Sequence, residues 1–464
     1  LMQWNEFSDW GAKISQWAAD YHTNLRDRPV RAQTAPGDVA ALIAASAPEG
    51  PHSMNEIMAD FERVVMPGIT HWQHPRFFAY FPANAAPPSM LAEMLVSTIA
   101  AQCMLWQTSP AATEMETVML DWLRQAIGLP EKFSGVIQDS ASSATLAAVL
   151  TMRERALDWQ GNQLGLSGAP RLRIYCSEEV HTSVDRAIWV SGVGQDNLVR
   201  IPISGPLRGM NAGALKAAIQ ADITSGYHPA GIIACTGGTG TGACDDLTEV
   251  VKVSKEFNLY SHVDAAWAGA GMICPEFREL WCGVEGADSI VFNPHKWLGA
   301  QFDCSAHFVA DPASLVKTLA IQPEYLKTHG HDGLINYSEW SVPLGRRFRA
   351  LKLWFLLRSY GLEALRVRLR NHVAWAEELV GKLGANPRFE IVTTPILSLF
   401  TFRIAGLDDA AQIEFVNCVN DDGRIYITQT KVDGKIAIRF QIGQFDVTEA
   451  DILFAYDVMC ELAA

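Results

Sequence analysis

No stretch of this 464-residue chain is apolar for long enough to cross a bilayer as a helix. An integral helical membrane protein is therefore excluded. The first residues, Leu1-Met2-Gln3-Trp4-Asn5-Glu6, lack a basic segment leading into an apolar one, so no secretory signal is expected, although the sequence does not begin with Met. Cysteines are scarce and scattered. There are nine, an odd number with no C-x-x-C spacing, which argues against a disulfide framework or a structural zinc site and for reduced thiols in the cytoplasm. Basic residues are the minority, 37 against 51 acidic ones, for a net charge of -14. That balance disfavours nucleic-acid backbones and anionic membranes as partners and leaves room for a local basic pocket. Internal repeats and low-complexity linkers are absent. His71 with His74, and His329 with His331, lack a third ligand, so no metal is expected.

What is present is an ordinary globular composition, 49% hydrophobic and 19% charged. A chain of this length exceeds one core, so a large domain with smaller ones is expected. Residues 1–84 read as a helical segment, with helical spacing over Asn55–Val65 and an irregular stretch from His71 to Pro88. Residues 85–350 alternate helical stretches, such as Met90–Met104 and Thr113–Ile127, with short apolar runs. The runs are Gly135–Gln138, Arg173–Cys176, Gly231–Cys235, Leu259–Val263 and Ser289–Phe292. Buried strands alternating with helices predict an α/β domain with a mostly parallel central sheet. Residues 351–464 read as a small α+β domain. It follows a helix over Arg349–Leu383 and includes a strand at Leu397–Phe402 and another at Ile436–Phe440 after the turn signal Asp433-Gly434.

Parallel sheets bind ligands beyond the carboxyl ends of their strands, so the residues following each run carry the functional argument. After Gln138 comes Asp139-Ser140-Ala141-Ser142-Ser143, opening a helix. Exposed N–H groups and hydroxyls there suit a phosphate, and equally an ordinary N-cap. His181 follows the second run and could stack on a ring or move a proton. Asp264 ends the Leu259–Val263 run, where a buried acid requires a partner. Lys296 follows the last run within Asn293-Pro294-His295-Lys296-Trp297, where desolvation would make its amine nucleophilic. Each feature alone has a plain structural explanation. An anion cradle, an imidazole, a carboxylate and a lysine at four strand ends together match the needs of a phosphorylated pyridine aldehyde.

The sequence resembles the group II pyridoxal-phosphate-dependent decarboxylases, in particular the aromatic-L-amino-acid decarboxylases. The resemblance runs over nearly the whole chain, through His71-Trp72-Gln73-His74-Pro75, Phe77-Phe78-Ala79-Tyr80-Phe81-Pro82, Ser109–Glu114, His262-Val263-Asp264-Ala265-Ala266, Asn293–Trp297 and Pro343–Arg349. It implies fold type I, the aspartate aminotransferase-like α/β architecture. It also implies pyridoxal 5'-phosphate held on Lys296 as a Schiff base. Asp264 would pair with the ring nitrogen, Ala266 and His181 would cover the two ring faces, and Ala141, Ser142 and Asn293 would hold the phosphate. Thr239 would line the cofactor site, His295 would lie beside cofactor and substrate, and Asp245 would be a structural acid. Tyr80, Phe81, Pro82, Leu105, Trp106, His295 and Gly345 would form the substrate pocket.

Members of this family are homodimers with the active site at the interface, which implies a dimerisation role for residues 1–84. A loop at residues 320–335 would bring Tyr325 to protonate the substrate Cα after CO2 departs, with His181 relaying the proton. Relatives with Phe at the Tyr325 position resemble aromatic acetaldehyde synthases, so keeping both Tyr325 and His181 favours simple decarboxylation. Departures from the family pattern are Asp139 in place of a usual Gly, Ala83 in place of a hydroxyl residue, and Leu105 at an often aromatic position. Gly345 points weakly to indolic substrates. The expected order is tryptophan or 5-hydroxytryptophan, then dopa, phenylalanine and tyrosine. An acidic-amino-acid decarboxylase is disfavoured because no extra basic residue awaits a distal acid. A silent binding protein is disfavoured by the intact Lys296, Asp264, His181 and Tyr325.

Overall fold

The structure, a computed structural model, describes residues 2–321 and 334–463. Its chain groups into two compact units. One comprises Leu1–Pro82, Glu377–Val392 and Thr401–Ala464, and the other Ala83–Ala376 with Thr393–Phe400.

The larger unit is built on a seven-stranded sheet. Its strands are β1 (Ser134–Gln138), β2 (Leu172–Ser177), β3 (Leu198–Ile201), β4 (His228–Cys235), β5 (Tyr260–Asp264), β6 (Ser289–Phe292) and β7 (Ser305–Val309). The spatial order is β1-β7-β6-β5-β4-β2-β3. Neighbours from β6 through to β3 pair in parallel. Only β7 runs the other way, antiparallel to both β6 and β1. Six strands therefore end on one side of the sheet, at Gln138, Ser177, Ile201, Cys235, Asp264 and Phe292. Strands β5 and β6 are buried throughout, which explains their reading as unbroken apolar runs rather than alternating ones. The mostly parallel α/β fold expected from the sequence is the one observed.

Helix Ala141–Ala156 leaves the end of β1 and crosses the sheet. Ala148, Val149 and Met152 pack with Ile174, Val184, Ile188 and Ile233 into one core cluster. The helix Ala350–Ala385 carries a break that the sequence reading did not anticipate. Gly361 sits at φ 68°, ψ 164°, outside helical geometry, a conformation glycine adopts without a Cβ penalty.

The smaller unit holds helix Trp4–Thr23, which buries none of its residues. The helical spacing over Asn55–Val65 becomes helix Met54–Asp60 running into a π-turn at Phe61–Val65. A four-stranded sheet follows the long helix, with β8 (Phe389–Ile396), β9 (Leu399–Ile404), β10 (Thr428–Val432) and β11 (Lys435–Gln441) in the order β8-β9-β11-β10. The β10–β11 hairpin closes through Asp433 and Gly434, both at positive φ. That is the geometry a two-residue turn needs to match strand twist.

Candidate active site

The loops beyond β1, β5 and β6 meet at one place. Ala141 and Ala144, at the start of the helix after β1, pack with Val291 of β6, and Ala266 lies against them from the loop after β5. The backbone locks these loops together. Ala265 donates its N–H to Val291 O, and Asn293 N–H donates to Ala266 O at 2.8 Å. The small residues expected around Asp264 are required by this approach. A Cβ on Gly269 would stand 2.4 Å from Cβ of Phe292.

Asp264 is buried at the end of β5. One carboxylate oxygen takes the Ala266 N–H at 3.0 Å, and the other has no hydrogen bond among the described residues. The carbonyl of Asp264 accepts the Thr236 N–H at 2.9 Å. This roots the turn carrying Thr239, whose ends pair as a bridge between Thr236 and Cys244. Asp245 occupies a different place. It is fully buried and takes the N–H groups of Met210 and Cys235 at 2.6 and 2.7 Å. Burial pushes its pKa up to about 6 against those two hydrogen bonds.

Lys296 lies in the π-turn Pro294–Leu298, with non-helical φ/ψ. Its backbone is held by an amide that the sequence reading missed. Asn84 donates its side-chain N–H to Lys296 O at 2.8 Å and its backbone N–H to His295 O at 3.0 Å. Beneath the turn, Trp297 stacks on Trp267 and donates to His372 at 2.9 Å. His295 accepts the Cys304 N–H on Nδ1 at 2.8 Å, so its neutral ring carries the proton on Nε2. Burial, aided by the Lys296 charge, pushes its pKa down to about 3.

His181 occupies an exposed position, yet enough protein surrounds the ring to push its pKa below the usual value. The Asp264 charge opposes that shift, and the Lys296 charge adds to it. The His181 ring therefore feels the charges of both Asp264 and Lys296.

The expected substrate-pocket residues lie on other segments of the chain. Leu105, Trp106 and Gly345 belong to one knitted set of loops. Trp106 N–H donates to Asn336 and its indole to Glu114. Cys103 N–H donates to Arg346 O, and Gln102 accepts the Arg346 N–H at 2.7 Å beside Gly345. Tyr80, Phe81 and Pro82 belong to the smaller unit. Tyr325 lies outside the described residues.

The pyridoxal-dependent decarboxylase conserved domain matches residues 36–405. The chain belongs to this family. It is 39% identical to the aromatic-L-amino-acid decarboxylase of Rattus norvegicus, covering 100% of this chain and 98% of that protein. It is 35% identical to a phenylacetaldehyde synthase of Arabidopsis thaliana, covering 100% and 97%. Among solved structures, Oryza sativa TDC with PLP and tryptamine superposes with a TM-score of 0.96 at 32% identity, over 100% of this chain and 98% of that one.

Pyridoxal phosphate is the cofactor of this decarboxylase family, and the residues present fit it. The helix Ala141–Ala156 begins with Ser140, whose hydroxyl takes the Ser143 N–H. The Ala141 and Ser142 N–H groups precede any acceptor within the helix and are available to an anion. Asn293 accepts from Ser305 at 2.6 Å on its oxygen, which leaves its NH2 to donate. The open oxygen of Asp264 suits a protonated ring nitrogen, and Lys296 supplies the amine. Asn84, Ser305 and Thr236 escaped the sequence reading because each acts on the backbone or amide of a site residue from a distant segment. Only Asn84, a lone amide among small residues and prolines, gave any local signal.

Proposed function

We propose that the protein removes CO2 from an aromatic L-amino acid and releases the arylalkylamine, with pyridoxal phosphate held at Lys296. The observation that carries this reading is that the loops bearing Asp264 and Lys296 bond to each other and pack against the Ala141 helix start, in a chain alike over its full length to aromatic decarboxylases. Bound pyridoxal phosphate supplies a conjugated cationic ring that takes up the electron pair left as the carboxyl group departs.

The chain's residues do the rest. Ala141, Ser142 and Asn293 fix the phosphate end. Asp264 keeps the ring nitrogen protonated, because its carboxylate favours the cation. Ala266 and His181 cover the two faces, and Thr239 and His295 line the edges. Tyr325 delivers the proton to the substrate Cα, with His181 as relay. Tyr80, Phe81, Pro82, Leu105, Trp106, His295 and Gly345 enclose the aromatic ring, with tryptophan or 5-hydroxytryptophan ahead of dopa, phenylalanine and tyrosine.

The working form is a cytoplasmic homodimer whose active site lies at the subunit interface, and residues 1–84 take part in pairing. Supporting this, Trp4, Phe7 and Ile14 are exposed on helix Trp4–Thr23, as are Leu91, Met94, Leu95 and Ile99 on helix Pro87–Ile99. Apolar faces of this kind favour a protein partner. All nine cysteines are free, in keeping with a reducing compartment. Light scattering at micromolar concentration should give twice the chain mass.

A second reading, decarboxylation with oxidative deamination to an aldehyde, draws on the similarity to the Arabidopsis thaliana phenylacetaldehyde synthase. Incubating the holoenzyme with each aromatic amino acid, with products read by mass spectrometry and peroxide assayed, separates the two. Amine equal to CO2 without peroxide supports decarboxylation. Aldehyde, ammonia and peroxide support the second reading, and no turnover of any aromatic amino acid overturns both.

A further inference from the structure

In the smaller unit, Tyr80 has a backbone conformation that a bulky residue rarely adopts. Its φ is +47°, a left-handed value that costs free energy unless the surroundings impose it. Those surroundings are identifiable. The Tyr80 carbonyl accepts from the buried guanidinium of Arg439, which also lies 4.8 Å from the centre of the Phe81 ring. Trp72 stacks on the Tyr80 ring at 5.8 Å. From the other side comes Tyr426. Its ring meets Tyr80 edge-on at 6.1 Å and Phe77 edge-on at 5.2 Å. Its hydroxyl stands 3.5 Å from that of Tyr80.

Tyr426 is itself anchored to the segment it supports. Phe78 N–H donates to Tyr426 O at 2.8 Å, and Tyr426 N–H donates to Arg76 O at 3.2 Å. Residues 76–78 and Tyr426 are therefore tied together, and the Tyr80 ring is held between Trp72 and Tyr426. Tyr80 nonetheless stays about half exposed, so its outer face is left for another group. Burial and the neighbouring Tyr80 push the Tyr426 pKa up to about 12.

We infer that Tyr426 is a positioning residue for substrate binding, which holds the Tyr80 ring at the angle where it receives the substrate's aromatic side chain. The inference rests on the proposed place of Tyr80 in the substrate pocket. Tyr426 touches no substrate and acts through Tyr80. At 3.5 Å the hydroxyl pair is long for an O–H···O bond, so the ring contacts carry the effect rather than the hydroxyls. Removing a ring that holds another should raise KM while leaving kcat in place, because the loss falls on ground and transition states alike.

The test is a cycle of Tyr80→Ala, Tyr426→Leu and the double variant in the holoenzyme, assayed with the best aromatic substrate, with thermal melting as a check on folding. Tyr426→Leu keeps side-chain bulk, and Tyr426→Phe keeps the ring if the leucine variant melts early. The expected result is a KM raised roughly threefold to tenfold in Tyr426→Leu, with kcat within about twofold. Tyr426→Phe should restore KM to near the parent value. The double variant should bind no worse than Tyr80→Ala alone, as coupled neighbours require. If Tyr80→Ala leaves KM unchanged, the place of Tyr80 in the pocket fails, and the inference falls with it. If Tyr80→Ala raises KM while Tyr426→Leu does not, or the two effects multiply, only the inference is overturned. A Tyr426→Phe variant as impaired as a folded Tyr426→Leu also overturns it, since the hydroxyl would then be the active part.

Discussion

The backbone N–H of Ser183 donates to Nδ1 of His181 at 3.1 Å, with the Ser183 hydroxyl at 2.9 Å from the same nitrogen. A backbone N–H can only donate, so Nδ1 must keep its lone pair and the neutral ring carries its proton on Nε2. Burial lowers the His181 pKa more than Asp264 raises it. The ring should therefore be neutral at pH 7.5 with Nε2–H as its donor. Nitrogen NMR of histidine-labelled protein should show that tautomer, and it should persist in Ser183→Ala, where the N–H remains. A cationic ring at pH 7.5, or an Nδ1–H tautomer, would contradict this assignment.

Several buried histidines make the fold sensitive to acid. Burial pushes the pKa of His71 down to about 4 and those of His74, His295 and His307 to about 3. His262 and His372 are pushed well below the usual value for the same reason. Below about pH 6.5 the unfolded chain takes up protons that the folded protein refuses. The stability these residues contribute is complete above that pH and is lost as the pH falls toward their folded values, at up to about 1.4 kcal/mol per histidine per pH unit. Asp245 acts in the opposite direction, since its raised pKa favours the folded state as pH falls below about 6. Burial raises the Glu339 pKa too, and these two acids are outweighed by the six histidines. The urea midpoint should fall between pH 7.5 and 5.5, and a flat profile would contradict the burial argument.

Glu116 and Arg346 form a buried pair at 2.5 Å, and the same Glu116 oxygen takes the Ile137 N–H of β1 at 2.7 Å. Arg346 also donates to Ile137 O at 3.0 Å and to Ser341 at 3.1 Å. Truncating the acid leaves a buried cation unpaired. Glu116→Ala should cost about 3–5 kcal/mol in urea unfolding. A loss below about 1 kcal/mol, the range of an exposed pair, would show that water reaches the site.

Gly269 permits the close approach of the loop after β5 to β6. Adding a methyl group there forces Phe292 aside, one residue before Asn293. Gly269→Ala should destabilise the fold by about 1–3 kcal/mol and weaken pyridoxal phosphate binding in equilibrium dialysis. Unchanged affinity would mean that Asn293 does not depend on this packing.

How much of this was legible in the sequence follows from what each strand buries. Strands β1, β2, β4, β5 and β6 stood out because buried parallel strands are short apolar runs. Two strands of the seven-stranded sheet were missed. Leu198–Ile201 has four residues at the sheet edge and an exposed Arg200. Ser305–Val309 is interrupted by His307, whose Nε2 meets the Ser289 hydroxyl at 2.8 Å from a neighbouring strand. Such long-range pairing leaves no local trace. The strand-end positions of Asp264 and Lys296 were legible because topology places residues there. The supports of those residues were not, because Asn84 holds Lys296 across more than two hundred positions of sequence. Asp139, which departs from the family pattern, is met by the Ser140 hydroxyl at 3.2 Å.

The attachment of pyridoxal phosphate to Lys296 is the claim on which the functional account depends. Borohydride reduction of the holoenzyme, followed by proteolysis and mass spectrometry, tests it directly. The account predicts one pyridoxyl-phosphate adduct per chain, on the peptide containing Asn293–Trp297 and at Lys296, and none in Lys296→Ala. An adduct on another lysine, or an unmodified Lys296 in protein that retains activity, would contradict it.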